Sequence, residues 1–279
     1  MMLDYFTRAL LEAVLAGALA GLVGVLVVLR GRAFFTMSLT HATFPGAVLA
    51  AILGISIPLG AAATAVALVL VATLVGRIPT QGSAVASGIM LTAGFAVGSF
   101  AETSTHVPVD VGSFLTGTIL ATTTDDLLLT AVVLVVAAIV LGVYGRHLLF
   151  ASFDEAGFRA AGLRPARAEA VSLALIAATV VAIMPALGAI LAVGLIVAPA
   201  AAARRLVRSA TTMLWVAPLI GIACAVSGLL VSRAWSVSAG GAITLIAAAV
   251  VGIAHLVPRR SAAPASTAPS AAAGSVVAS

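Results

Sequence analysis

Residues 170–203 read AVSLALIAATVVAIMPALGAILAVGLIVAPAAAA, an uncharged run closed by Glu169 on one side and by Arg204 and Arg205 on the other. An apolar run of about 18 or more residues is long enough to cross ~30 Å of hydrocarbon. Basic loops flank this one on both sides, so the chain must enter and leave through the same face and cross twice. Two crossings want about 20 residues each, so both helices are short. Pro185 and Gly188 mark the break near the turning point, since proline removes a backbone donor inside a helix. Two short, tightly packed helices are expected. A chain that dips to mid-membrane and turns within the protein is the alternative, permitted where the backbone is sheltered from lipid.

The same pattern extends outward. No charge lies between Arg32 and Arg77, Arg77 and Glu102, Arg208 and Arg233, or Arg233 and Arg259. Across 279 residues, 62% are apolar and 8% charged, against roughly 25% charge in a soluble domain. The chain is therefore expected to be all-α and polytopic, with about nine spans: 10–29, 37–55, 59–76, 84–100, 126–144, 170–185, 187–203, 211–231 and 240–257. Continuous rather than alternating apolar runs exclude a β-barrel. Residues 1–258 form the membrane domain, and the Ala-, Ser- and Pro-rich tail 259–279 is expected to be disordered.

Charge placement sets the orientation. All 14 basic residues are arginine. Arg30, Arg32, Arg77, Arg146, Arg159, Arg164, Arg167, Arg204, Arg205, Arg208, Arg259 and Arg260 fall in alternate loops, and only Arg8 and Arg233 fall on the other side. The positive-inside bias puts the N-terminus outside and the C-terminus inside a cytoplasmic membrane. The net charge of +5 does not indicate nucleic-acid binding, because the arginines form no patch with interleaved aromatics. One cysteine, Cys224, excludes an internal disulfide and a cysteine-based metal site. The first eleven residues carry Asp4 as well as Arg8, and no cleavable signal peptide is expected there. Small residues suit close helix packing in lipid, and Gly17, Gly21 and Gly24 are read as such glue.

An ionisable side chain inside a membrane is costly and by default a functional candidate. His41, in SLTHATFPGAVLA, is the one that matters. Pro45 and Gly46 follow it, and Pro45 is expected to push Phe44 out of helical geometry and open the helix just after the histidine. Neutral imidazole is a common ligand for zinc and other transition metals; a hydrogen bond to a neighbouring helix is the structural alternative. In the outer loop 101–125, Glu102, His106 and Asp110 are acidic or metal-ligating, but Pro108 spoils fixed pairing of His106 with Asp110. His147 and His255 read as interfacial. The inner loop 145–169 contains FDEAGFRAAG (Phe153–Gly162). There Asp154 and Glu155 suit the positive end of a short helix and Arg159 its negative end, while Phe153 and Phe158 are expected to offer an apolar face to a cytoplasmic partner.

Four stretches in order resemble the permease subunits of ATP-binding-cassette importers for zinc, manganese and related divalent cations. They are LRGRAFFTMSLTHATFPG (Leu29–Gly46), VDVGSFLTGTILATTTDDL (Val109–Leu127), FDEAGFRAAGL (Phe153–Leu163) and GAILAVGLIVAPAAAARRL (Gly188–Leu206). The resemblance covers roughly residues 8 to 257. It implies a dimer of two permease copies with the path between them and His41 on that path. It also implies a pair of cytoplasmic ATPase subunits engaging Phe153, Asp154, Glu155, Phe158, Arg159 and Gly162, and an extracytoplasmic solute-binding protein that delivers the ion. The chain has no GxxxxGK[ST] phosphate loop, so hydrolysis falls to the partner, and no permanent cofactor is implied. Members of the family commonly carry an aspartate four residues before the histidine, where this chain has Met37. A thioether beside an imidazole suits softer ions than manganese, which favours zinc, although lipid or core packing is the favoured use of Met37 over coordination. The acidic outer loop is expected to attract cations. A secondary transporter fits poorly, since the spans hold almost no carboxylates for a proton relay. Iron-chelate or vitamin permeases of the same broad class are generally longer.

Overall fold

The computed structural model describes residues 5–75, 83–105, 117 and 119–256; His106, Asp110, Arg77 and the tail 259–279 lie outside them. The described residues form helices and a 3₁₀ turn at Ile119–Ala121, with no strand. The helices are α1 (Tyr5–Leu29), α2 (Ala33–Ala42), α3 (Phe44–Ile52), α4 (Ile57–Val75), α5 (Ser83–Thr105), α6 (Thr124–Phe153), α7 (Glu155–Ala160), α8 (Pro165–Leu206), α9 (Ala210–Trp235) and α10 (Ala239–Leu256). Taking α2 and α3 as one broken span, the described residues supply eight helices long and apolar enough to cross a membrane.

One of the eight is two spans. Within α8, Gly188 has φ 78° and ψ 163°, a combination open to glycine and almost nothing else. Contacts along α1 show that the chain reverses there. On the first arm, Glu169 meets Arg30 just past the end of α1, whereas Ala182 lies level with Glu12 through the Thr130 hydroxyl. On the second arm, Ile196 and Ala200 lie against Gly24, and Arg204 donates to the Val28 carbonyl. The first arm therefore runs antiparallel to α1 and the second parallel to it. Their 23 and 18 residues (165–187 and 189–206) make rods of roughly 34 and 27 Å. Gly117 and residues 119–121 pack on the reversal. A Cβ on Gly117 would fall 2.2 Å from the Gly188 nitrogen, so the two backbones touch. The two short helices expected of residues 170–203 are present, with Gly188 as the turning point, and the described residues make nine passes.

The arginines sort accordingly. Arg30, Arg32, Arg204 and the segment around Glu169 gather at one end of the bundle. Arg233 lies at the other, its guanidinium 4.1 Å over the Phe6 ring. Close helix approach explains the glycines of α1. A Cβ on Gly17 would fall 2.6 Å from the Gly221 carbonyl oxygen and one on Gly21 2.4 Å from that of Ala217, both on α9, whereas Gly24 faces α8. The three glycines thus serve two neighbours rather than one.

Two boundaries differ from the sequence reading. α6 runs to Phe153, so residues 145–153 of the expected inner loop are helical. Beyond its apolar stretch, Leu141, Gly145, Leu148 and Leu149 remain buried, an i, i+4, i+7, i+8 stripe that keeps the helix seated after Arg146 and His147 have turned outward. At its other end Asp126 accepts from the Thr123 N–H and the Thr123 hydroxyl accepts from the Asp126 N–H, a capping box that puts Asp125 and Asp126 in the first turn of the helix. Likewise α5 continues to Thr105, which places Glu102 in its last turns.

Candidate functional site

His41 occupies the last turn of α2, and the span breaks two residues later. The break falls at Thr43 (φ −81°, ψ −12°), with Phe44 already helical and Pro45 in the first turn of α3. The expectation that Phe44 leaves helical geometry is thereby corrected. Proline is tolerated in a helix's first turn, where its missing N–H costs nothing, so the chain restarts a helix there and the joint moves to the residue before it. The Gly46 and Ala47 N–H groups both point to the Thr43 carbonyl. Residue 45 has no N–H to give the His41 carbonyl, and the Thr43 N–H points to that carbonyl instead.

The faces of α2 are unequal. Phe35, Thr36, Ser38, Leu39 and Thr40 are buried, while Phe34 and Met37 are 43% and 42% exposed and His41 is half-buried. Positions 34, 37 and 41 share a helix face, so imidazole and thioether stand one turn apart on the only open stripe of α2. The imidazole packs edge-on against Phe95 of α5, with ring centroids 6.1 Å apart, and Phe44 stacks on the same ring at 5.9 Å. Phe95 thus fixes the ring's lean without supplying a hydrogen bond. Pro45 is buried, and a Cβ on Gly46 would fall 1.9 Å from the Thr64 hydroxyl and 2.2 Å from the Gly60 carbonyl oxygen. Gly46 therefore lets α3 touch α4 and lies away from the His41 stripe. Among the described residues, no three His, Cys, Asp or Glu side chains gather closely enough to hold a metal ion.

At the arginine-rich end, Asp154 caps α7 by accepting from the Gly157 N–H at 2.8 Å, and Glu155 pairs with Arg159 on its exposed side. The helix closes at Gly162, where the Leu163 N–H reaches back to the Phe158 carbonyl. The two phenylalanines do not share a face, contrary to expectation. Phe158 is 3% exposed, its ring 5.5 Å from that of Phe150, whereas Phe153 is 67% exposed. Phe153 ends α6 while Phe158 lies on α7, and the chain turns through Asp154 between them. Phe158 anchors α7 and Phe153 projects.

Two polar clusters, one part-buried and one buried, were not singled out from the sequence. Glu169 holds both arginines of the α1–α2 turn. Glu12 is fully buried in α1 and accepts from the Thr130 hydroxyl at 2.8 Å. Each had a visible signal: Glu169 is the first acid after Arg159, Arg164 and Arg167, and Glu12 is the lone acid of the first expected span, 10–29.

A family model, the ABC 3 transport family, matches residues 2–257. The chain belongs to the ABC 3 transport family. It is 30% identical to the manganese transport system membrane protein MntC of Halalkalibacterium halodurans, over 90% of this chain and 86% of that one. It is 28% identical to the chelated iron transport system membrane protein YfeC of Yersinia pestis, over 87% and 83%. Among solved structures it is similar to PsaBC from Streptococcus pneumoniae in complex with Fab, with a TM-score of 0.82, 27% identity and coverage of 91% of this chain and 92% of that one. This family chain is a multi-pass membrane protein of helical bundle type, and its broken α2–α3 span lies within the matched region.

Proposed function

We propose that this chain is the membrane-spanning subunit of an ATP-driven importer of divalent metal cations, with its path along the His41 stripe of α2. The observation that carries the reading is the joint placement of the His41 imidazole and the Met37 thioether on the open face of a span broken one turn beyond them. Neither faces the core, so both are free to meet a cation. A second copy presenting the same stripe would double the donors to two imidazoles and two thioethers, the four-coordinate number zinc favours. A homodimer with the path between subunits is the arrangement that completes the site. The chain lacks lysine and hence a phosphate loop, so ATP hydrolysis belongs to a pair of cytoplasmic subunits seated on α7, where the exposed Phe153 ring and the capped turn of Asp154 offer the contact. A solute-binding protein would deliver the ion at the opposite, outer end, where Glu102 stands and where His106 and Asp110 follow in the chain. The arginine-rich end is then cytoplasmic, with the N-terminus outside the plasma membrane and the C-terminus inside.

Zinc is the cation the donor set favours, because imidazole and thioether are softer than the oxygens manganese prefers. Manganese is the second reading, favoured by relatives named for manganese transport. In the cycle, the imidazole takes up a cation from the outer side, and motion of α7 under the ATPase subunits shifts α2 until the site opens inward. The test is uptake of ⁶⁵Zn²⁺ and ⁵⁴Mn²⁺ by cells lacking the native protein and supplied with wild type or His41→Ala. The variant is expected to assemble with its ATPase subunits and to lose uptake. Wild-type uptake by His41→Ala removes the histidine from the path.

A further inference from the structure

The geometry points to Glu169, Arg30 and Arg32 as the linkage that passes movement of α7 to the helix carrying His41; the inference rests on the reading of α7 as the ATPase-docking segment. Arg30 and Arg32 flank Gly31, whose φ of +64° turns the chain from α1 into α2. Arg30 is 8% exposed along its side chain and reaches both flanks of α7. Its Nη1 donates to Glu169 Oε2 at 2.6 Å on α8, its Nε to the Ser152 hydroxyl at 3.0 Å, and its Nη2 to the Leu148 carbonyl at 3.2 Å on α6. Arg32 holds the other oxygen of the same carboxylate. Ser152 lies three residues before α7 begins and Glu169 nine after it ends, so both attachments of that short helix are pinned to one turn.

What hangs from the turn is α2, a rod of ten residues with a joint at each end, Gly31 below and Thr43 above. His41 lies nine residues beyond Arg32, roughly 14 Å along the rod. A planar guanidinium fork held at three points has little freedom to slide. Displacement of α7 therefore pulls the foot of α2 rather than spreading through a flexible loop. There is also room for the foot to travel. A cavity of about 570 Å³ opens beside the clamp, lined by Arg30, Arg32, Phe35, Met90, Glu155 and Glu169 among others. The three residues of the clamp are positioning residues, acting through α2 and touching no cation.

The experiment uses the complete complex, permease with its ATPase subunits reconstituted into vesicles and supplied with the solute-binding protein, and measures Zn²⁺ and Mn²⁺ imported per ATP hydrolysed. Arg32→Gln and Glu169→Gln are expected to lower that ratio at least fivefold while ATP hydrolysis continues, and Arg32→Lys, which keeps the charge, to retain at least half of it. Should Glu169→Gln fail to assemble because Arg30 is left buried without its partner, Arg32→Gln carries the test, since that side chain is 25% exposed. A wild-type ratio in Arg32→Gln overturns the linkage, as does loss of the ATPase subunits from that variant, which would make the clamp structural. Absence of cation import by the wild-type complex overturns the importer reading instead, and the two failures are thereby distinct.

Discussion

Gly188→Ala probes the reversal on which the nine-pass topology depends. At φ 78° and ψ 163° an alanine enters a region held almost entirely by glycine, at a cost on the order of 1–3 kcal/mol. Relief by shifting the backbone is blocked, because Gly117 lies directly on the Gly188 nitrogen. A midpoint cost of ~2 kcal/mol lowers the folded-to-unfolded ratio about thirtyfold. Gly142 supplies the control. It lies in α6 with open space where a Cβ would stand, and alanine there gains roughly 0.5–1 kcal/mol of helix propensity. The same chemical change should therefore carry opposite signs 46 residues apart in one chain. The assay is unfolding of both purified variants in one detergent, followed by loss of monodisperse protein with temperature or denaturant. Gly188→Ala should melt below wild type and Gly142→Ala at or above it. Equal or raised stability in Gly188→Ala would mean that residue 188 is ordinary helix, and the hairpin within α8 would be wrong.

Other substitutions test the packing and the site. Gly21→Val should force α1 from α9, since even a Cβ meets the Ala217 carbonyl oxygen at 2.4 Å; a loss of about 1–3 kcal/mol should show in the same unfolding assay. Phe158→Ala should cost about 3–5 kcal/mol by emptying a buried position, whereas Phe153→Ala should leave stability within about 0.5 kcal/mol and weaken co-purification of the ATPase subunits. Met37→Asp restores a hard oxygen one turn from His41, and the Mn²⁺-to-Zn²⁺ uptake ratio should rise on the order of tenfold, equivalent to ~1.4 kcal/mol of preference; an unchanged ratio would take residue 37 out of ion selection.

Much of the site was legible because its signals are local. Lipid demands long uncharged runs wherever the chain crosses, so the spans and the double crossing of residues 170–203 stand in the order of residues alone. Pro45 announces a break near His41 whatever surrounds it, and Asp154 announces a helix start. The residue at which the break falls is another matter. Proline's ring strains the residue before it unless that residue begins a new helix turn, and packing of Phe44 on Phe95 and of Gly46 on Gly60 seats α3 so that Thr43 becomes the joint. The open stripe at positions 34, 37 and 41 was equally beyond periodicity, because nearly every residue of α2 is apolar or small and only the neighbours decide which face is covered.

The amino-acid order by itself determined that this is a multi-pass helical membrane protein, how its basic residues sort between the two ends, and that one imidazole interrupts an apolar span. Those are properties of single segments in contact with lipid or water. Only the tertiary structure decided that Gly24 meets α8 while Gly21 meets α9, that Phe158 turns inward and Phe153 outward, and that Arg30 meets a carboxylate 139 residues away. The physical reason is that a helix's periodicity records which of its faces are apolar, whereas partnership depends on backbones brought within a few ångströms by the whole bundle.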